Sequence, residues 1–398
     1  MRWTYAWYLG FHWTWSKPLS LSAFPEMSEP DDDYGLSPNK EIAHIAPPSV
    51  DYLPPFPKSY QPNIGIIGTG GISEFHLKAY KHCGWQVAAM HNRTRSKAEA
   101  RRDEFYPKAA VVDDYRELLD DATIDVLDIT PHPEERIHIV REALNAGKHV
   151  LSQKPFVLDL DEGAELAALA ESKGLLLAVN QNGRWAPHFS YMRNAVADGL
   201  IGRVTSVDLS LQWDHTWVAG IESFEKIHHL ILYDFAVHWF DITNCFMCGH
   251  DARQVYASAV RFDEQKFGPP ALASAIVDYP GAQVRMSFNS HTQLGEEDVT
   301  TIVGTKGTLR SRGPGLNEQP TMEIFLEDGQ VEVPLEGCWF ESGFQGTMGE
   351  LLCAIEQGRE PNHSARDNLR SLALCFAALE SADTGQPCVP GEVRSIKS

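Results

Sequence analysis

The segment NIGIIGTGGISEFHLKAY, residues 63–80, constrains this chain more than any other. Asn63 to Ile67 is a short apolar run, suited to a strand buried on both faces. It runs into Gly68, Thr69, Gly70, Gly71, Ile72 and Ser73, and helical spacing of Phe75, Leu77, Ala79 and Tyr80 follows. Strand, glycine turn and helix in that order predict the opening of a βαβ unit. Gly68 allows the tight turn, Gly70 lets the backbone approach a pyrophosphate, and Ser73 stands at the third small position, where helix and strand pack closely. A helix N-terminus there offers free N–H groups and about half a positive charge to phosphates. The expected ligand is a dinucleotide.

The alternation continues. A strand Gln86–Met90 ends at His91, Asn92 and Arg93, and Val111-Val112 precedes the helix DYRELLDD. Ile124–Ile129 ends at Thr130, Pro131 and His132, and the helix EERIHIVREALNAG closes at Gly147. His149–Ser152 leads into Gln153 and Lys154, and Leu175–Val179 into Asn180 and Gln181. Successive strand–helix pairs predict a doubly wound parallel sheet. Open α/β sheets bind ligands at the carboxyl ends of their strands. Asn92, Arg93, Thr130, Pro131, His132, Gln153, Lys154 and Gln181 therefore join the glycine loop as candidate cofactor residues. An NAD-preferring site usually carries Asp or Glu after the second strand; neutral Asn92, with Arg93 and Arg95 beside it, would accept a 2′-phosphate. The reading leans to NADP, with NAD or dual use accommodated.

Acidic residues number 54 and basic residues 34, a formal charge of −20. Such a surface repels nucleic-acid backbones and anionic lipid heads, so neither is an expected partner. No stretch of ~18 uncharged apolar residues predicts a membrane span. Seven scattered cysteines read as the reduced thiols of a cytoplasmic protein. Cys245-Phe-Met-Cys248 has no second pair and reads as small side chains on a buried helix; no metal site is expected. A length of 398 residues favours two domains after an N-terminal extension, 1–61. Four of the ten tryptophans fall in the first 15 residues, without the aliphatic run or cleavage site of a secretory signal. Residues 1–26 are therefore read as outside the natural coding sequence, with Met27 opening a plainer N-terminus. Nine of 24 prolines fall in 25–62, which predicts an extended segment, either a disordered leader or an arm laid across the domain or a neighbouring subunit.

GTGGIS, Gly147-Lys148-His149-Val150, the Lys154-Pro155 pair, Arg184-Trp-Ala-Pro187, Gly199–Val204, Gly304–Leu309 and YDFAVHWFD at 233–241 together resemble the Gfo/Idh/MocA oxidoreductases, over about residues 62–391. The resemblance implies an α/β protein with an N-terminal Rossmann doubly wound parallel sheet, 62–182. It also implies a C-terminal α+β domain, 183–391, whose open, mostly antiparallel sheet carries the contact of a homodimer or homotetramer, before a tail, 392–398. Strand-like runs at Val204–Gln212, Gln254–Arg261, Ala273–Tyr279, Gln283–Ser290, Thr300–Val303 and Thr321–Phe325 are compatible. The resemblance assigns catalytic roles to the positions matched by Lys154, Asp234 and His238. Arg184 and Trp185, at the matched helix start, are candidate cofactor contacts. One departure is Gln153, where the family usually has Glu; a neutral neighbour supports the Lys154 ammonium less well.

Asp234, His238 and Asp241 stand at i, i+4 and i+7, one helical face, among Leu230, Ile231, Phe235, Trp239 and Phe240. Polar groups buried there need a partner or a polar cavity, so a structural His–Asp pair is one reading. The functional reading makes His238 a general base, since histidine titrates near neutrality. Asp234 is then its partner and a substrate ligand, Lys154 an electrostatic clamp, and Asp241 a support. Trp213, with His215 and Trp217, offers aromatic faces for a sugar ring, and His229 could reach the pocket. The expected activity is hydride transfer between NAD(P) and a hydroxyl-bearing carbon of a sugar, polyol or related compound. Two alternatives stay open: a glycoside hydrolase working through transient oxidation, and a non-catalytic nucleotide or sugar sensor.

Overall fold

The computed structural model describes residues 42–396, so the expectations for residues 1–26 lie outside the described residues. Apolar runs alternate with helices as β1 (Asn63–Ile67), α1 (Ser73–Cys83), β2 (Gln86–His91), α2 (Arg95–Phe105), β3 (Ala110–Val112), α3 (Arg116–Asp120), β4 (Ile124–Ile129), α4 (Pro133–Asn145), β5 (His149–Gln153), α5 (Leu160–Ser172) and β6 (Leu177–Asn180). All six strands pair in parallel, in the order β3-β2-β1-β4-β5-β6. The order reverses between β1 and β4, the switch point beside which open α/β sheets bind ligands at their carboxyl edge. The strands are apolar on both faces because both faces are covered. Ile64, Ile66, Val126 and Leu151 share a cluster with Leu77 and Tyr80 of α1, while Ile67, Leu127, Val150 and Val179 share another with Ile139 of α4 and Leu166 of α5.

The second half runs α6 (Pro187–Ala197), β7 (Val204–Gln212), α7 (Glu222–Glu225), α8 (Val237–Phe246), β8 (Gln254–Val260), β9 (Leu272–Tyr279), β10 (Ala282–Asn289), β11 (Glu297–Gly304), β12 (Gly307–Gly313), β13 (Thr321–Leu326), β14 (Gly329–Pro334), α9 (Trp339–Gln357) and α10 (Ala365–Thr384). Its eight strands lie in the order β14-β13-β12-β11-β7-β10-β9-β8. Only β7 and β10 pair in parallel. Burial alternates along β8, β9 and β10, so one face meets the core and the other is open. The fold is thus α/β, a Rossmann sheet followed by a mostly antiparallel one. β12 (GTLRSRG) and β14 (GQVEVP) fall outside the six expected runs, because the first is mostly polar and the second has only two valines between a glycine and a proline. Their antiparallel neighbours β11 and β13 hold them in the sheet.

The last two helices return to the first sheet. α9 packs on α1 and on the 3-10 turn Asn182–Trp185, and α10 packs on α5, α8 and β8. Gly346 makes the first contact possible: a Cβ there would run into the Trp185 ring. From Ala43 onward the proline-rich segment is laid across this body. Tyr191 Oη donates to Pro48 O (2.8 Å), Tyr52 packs on Tyr191, and Phe56 on Trp85. Glu356 of α9 accepts the N–H groups of Lys58 (2.9 Å), Ser59 (2.6 Å) and Tyr60 (2.9 Å). Among the described residues no helix is long and apolar enough to cross a membrane.

Candidate active site

The glycine loop leaves β1 at the switch point of the parallel sheet. Gly68 has φ +95°, and a Cβ there would strike the side chains of Thr130 and Pro131 (Cδ at 2.9 Å), so only glycine lets the two loops meet. Thr130 in turn donates its hydroxyl to Gly68 O (2.9 Å). Asn92 shapes the loop from β2, its Oδ1 accepting the Thr69 N–H at 2.9 Å. Ser73 closes the turn by donating its hydroxyl to Gly70 O (2.7 Å). Among the described residues no acceptor is bonded to the N–H groups of Gly70, Gly71 and Ile72. A Cβ added at Gly70 or Gly71 would meet nothing within 4 Å. Unbonded donors facing open space at a helix N-terminus fit a dinucleotide pyrophosphate.

The other strand ends converge on the same edge. Buried Arg136 braces them, donating to the carbonyls of Pro131, Pro155 and Phe156, the last at 3.2 Å. Burial with no carboxylate partner brings its guanidinium down to about 10. His132 stands at the N-cap position of α4 without a side-chain capping bond. The Gln181 amide is buried with neither end bonded among the described residues, as expected of a group that faces a ligand. Arg93 reaches Glu135 (2.6 Å) and Arg95 reaches Glu99 and Asp113, so both arginines expected to take a 2′-phosphate already hold carboxylates on the exposed rim.

Lys154, at the end of β5, crosses to the second half of the chain. Its Nζ donates to Asp234 O (2.6 Å) and Oδ1 (3.2 Å). Asp234 lies in a π-helical turn, Ile231–Phe235, in which the Ala236 N–H reaches back to Ile231 O (2.7 Å) before α8 begins at Val237. The wider turn changes the expected geometry. Asp234 is bonded to Lys154, and no hydrogen bond joins it to His238. His238 is buried with its Nδ1 unbonded, edge-on to Trp339 at 5.6 Å. Burial holds this imidazole well below its ordinary range, and the Lys154 charge pushes the same way, so it is neutral near pH 7.

Several expected contacts are spent elsewhere. Arg184 gives Nε and Nη2 to Asp241 (2.6 and 2.7 Å), Nη2 also to Asp367 (2.6 Å), and Nη1 to Asn362 O. It offers a cofactor no free group. Trp185 is buried against His363 (5.0 Å) with the Arg193 guanidinium over its ring (5.3 Å). Asp241 faces Arg184 and Ser371, away from His238's role. Trp213 is buried and stacked on Phe235 (4.3 Å, 14°), which leaves it no face for a sugar. His229 and His228 both bond through Nε2 to Asp383 at the end of α10, at 2.8 and 3.0 Å.

Sequence reasoning missed a network beneath Lys154. His76 Nδ1 lies 2.6 Å from Asp128 Oδ2, which also accepts the Tyr80 hydroxyl (2.7 Å). The amides of Gln153 (3.0 Å) and Asn180 (3.1 Å) meet His76 Nε2. Amide nitrogens only donate, so Nε2 accepts and Nδ1–H donates to Asp128. Gln153 Oε1 then accepts the Lys154 N–H (2.7 Å), which holds the backbone of the lysine. This is the physical consequence of glutamine at 153: a donor faces His76, where a carboxylate would require a proton on Nε2. The signal was present as one acid, Asp128, in the otherwise apolar end of β4.

A phosphate cradle at the switch point of the parallel sheet, with Lys154 at the end of β5 bonded to Asp234 of the second half, is the arrangement of a nicotinamide-dependent oxidoreductase of the dehydrogenase and reductase class. Comparison with known proteins makes this specific. Residues 62–181 match the model described as "Oxidoreductase family, NAD-binding Rossmann fold", and residues 189–310 match the "GFO/IDH/MocA C-terminal domain". Inositol 2-dehydrogenase of Rhizobium meliloti is 26% identical over 327 residues, 80% of this chain and 96% of that protein. 1,5-anhydro-D-fructose reductase of Ensifer adhaerens is 25% identical over 328 residues, 81% and 96% of the two chains. An Agrobacterium radiobacter oxidoreductase, solved with NAD+, L-tartaric acid and magnesium, superposes with a TM-score of 0.75 at 23% identity, covering 83% of this chain and 99% of its own. The chain belongs to the Gfo/Idh/MocA oxidoreductase family.

Proposed function

We propose that the enzyme transfers hydride between NAD(P) and a hydroxyl or carbonyl carbon of a sugar, polyol or related compound, with His238 as general base. One observation supports this reading: His238 is a buried imidazole within reach of the Lys154 charge, and Lys154 is bonded to Asp234 of the second half of the chain. The cofactor sits on residues 62–182, held by Gly68–Ser73, Asn92, Arg93, Thr130–His132, Gln153 and Gln181, and the substrate on residues 183–391. When bound, the nicotinamide supplies the hydride acceptor or donor. Lys154 Nζ binds the substrate oxygen and favours negative charge as it develops there. Asp234 orients Lys154 through Oδ1. The His238 ring takes the hydroxyl proton, a contribution of roughly 10²–10⁴ in rate.

The lean to NADP rests on Arg93. Its pair with Glu135 is exposed, and such pairs are worth roughly 0–1 kcal/mol, so a 2′-phosphate can displace the carboxylate. All seven cysteines are free thiols, which supports a cytoplasmic setting. The open face of the second sheet, with Tyr256, Val260 and Ile276 exposed, supports a homodimer or homotetramer. The test is a panel of inositol, hexoses, 1,5-anhydro-D-fructose and linear polyols with NAD and NADP separately. His238→Ala is expected to lower kcat by roughly 10²–10⁴ while fluorescence titration shows unchanged NADPH binding. Turnover within about threefold of the wild type would overturn the assignment.

A further inference from the structure

His228 and His229 stand side by side just before the π-helical turn that carries Asp234, and both reach the end of α10. Their Nε2 atoms lie 3.0 and 2.8 Å from one and the same oxygen, Asp383 Oδ1. A carboxylate oxygen only accepts, so in this arrangement both Nε2 atoms carry protons. The ring centroids are 4.2 Å apart and the planes are tilted by 53°. One ligand atom from each of the three side chains lies within 4.8 Å of the other two. Among the described residues no other three His, Cys, Asp or Glu side chains converge in this way.

The donor set and its setting suit a metal ion. Two imidazoles and one carboxylate favour zinc and its first-row neighbours, whereas magnesium and calcium take oxygen ligands. Ligands held at about 2.0–2.1 Å on a tetrahedral zinc stand about 3.3 Å apart, so the two nitrogen-to-oxygen spacings have only a few tenths of an ångström to open. His229 is buried, while His228 and Asp383 are open to solvent. Packing therefore fixes one ligand, and an ion can enter past the other two. Hydrogen bonds on such an exposed rim are weak, so little is lost when an ion displaces their protons. A chain of net charge −20 also draws cations to its surface.

We propose that His228, His229 and Asp383 bind a divalent ion of the zinc type, with the remaining coordination position left to water. The ion ties the entry of the π turn to α10, because His229 O accepts the N–H of Tyr233, the residue before Asp234 (2.9 Å). The site is exchangeable and not a permanent staple, for two reasons. Structural zinc sites use four protein ligands, and here there are three. His229 Nδ1 is buried with no partner among the described residues, and lacking that outer acceptor weakens a site by roughly 10–100-fold. Local sequence hid the cluster, since His229 and Asp383 are 154 positions apart.

The test uses the full chain, stripped with a chelator, and calorimetric titration with zinc chloride. Wild type is expected to show a saturable class of one zinc per chain with a dissociation constant in about the micromolar range. His228→Ala and Asp383→Asn, both at exposed positions, each weaken that class about tenfold or more. His82→Ala removes another exposed histidine that faces a carboxylate, Glu341 at 3.5 Å, and leaves the class unchanged. Zinc raises the Tm of wild type and of His82→Ala, a chelator reverses the rise, and the two site variants lose it. Amide exchange at 230–235 slows on zinc addition in wild type alone. Magnesium chloride gives none of these effects. Zinc affinity within about threefold of wild type in both site variants overturns the site, as does the absence of saturable zinc binding in wild type or an equal response to magnesium. No turnover is measured, so these outcomes stand apart from the oxidoreductase reading.

Discussion

The difference between a buried and an exposed polar pair governs the single-residue behaviour of this enzyme. His76 and Asp128 have no solvent exposure, whereas Arg93 and Glu135 are mostly open. Removing His76 leaves a buried carboxylate with only the Tyr80 hydroxyl. His76→Ala is expected to cost roughly 3 kcal/mol in unfolding free energy measured by urea denaturation, while Arg93→Ala stays within about 0.5 kcal/mol. The buried histidines set a second expectation. His149, His188, His215, His238 and His363 are all displaced below the ordinary imidazole value by burial, His188 to about 3 and His215 to about 4. Below about pH 6.5 the unfolded chain takes up protons that the folded one refuses, so stability falls as pH falls, from about 6.5 down towards the folded values. Denaturation at pH 7 and pH 5 is expected to show the loss, and a flat profile between them would contradict the burial of neutral rings. Lys154, Asp234 and His238 drew attention in the sequence because polar residues in apolar surroundings need an explanation, and the structure joins the first two. Arg184 was misread for the same reason: next to a buried tryptophan, a guanidinium facing a ligand and one facing Asp241 look alike in sequence. Only the fold brings its partner, 57 positions away, against it.

At the level of elements, legibility followed periodicity. β1, β4 and β5 are built around short apolar runs and β9 and β10 alternate in burial, so local sequence specifies them. β12 and β14 take their conformation from neighbours. The π turn at Ile231–Phe235 was invisible, because regular helical spacing from Asp234 to Asp241 reads the same with or without one extra residue in a turn. Yet that turn decides that Asp234 meets Lys154 and not His238. Proline content predicted the extended form of the arm, and a single carboxylate fixes its end. The backbone N–H groups of Lys58, Ser59 and Tyr60 and the Ser59 hydroxyl hold Glu356 down at about 2. A carboxyl depressed in this way holds the arm above its ordinary value of about 4.3 and lets go as pH falls from there towards 2. Glu356→Gln is expected to speed amide hydrogen exchange at 58–60 and early proteolysis near Pro57, with the rest of the molecule protected. Unchanged exchange there would mean that the Phe56–Trp85 contact alone secures the arm.

At the level of the whole molecule, the two sheets are tied together by chain segments far apart in sequence. α9 and α10 leave the second sheet and return to cover the first, and Arg184 sits where they meet. From the turn Asn182–Trp185 it holds Asp241 of α8, Asp367 of α10 and the carbonyl of Asn362. Both Arg184 and Asp241 are almost wholly buried. Taking one partner from such a pair strands a charge and costs about 3–5 kcal/mol, whereas replacing both with apolar side chains is often close to neutral. Arg184→Met is therefore expected to fall by that amount, and the Arg184→Met, Asp241→Leu double variant to recover much of it. The recovery is incomplete because Asp367 and Asn362 lose a donor in both. If this clamp makes the two sheets one cooperative unit, wild type melts in a single calorimetric transition, and Arg184→Met separates it into two. The alternative outcome is a lower but still single transition. The packing of α9 on α1 would then suffice to couple the sheets, and the ion pair would set only the local packing of the turn Asn182–Trp185 against α8.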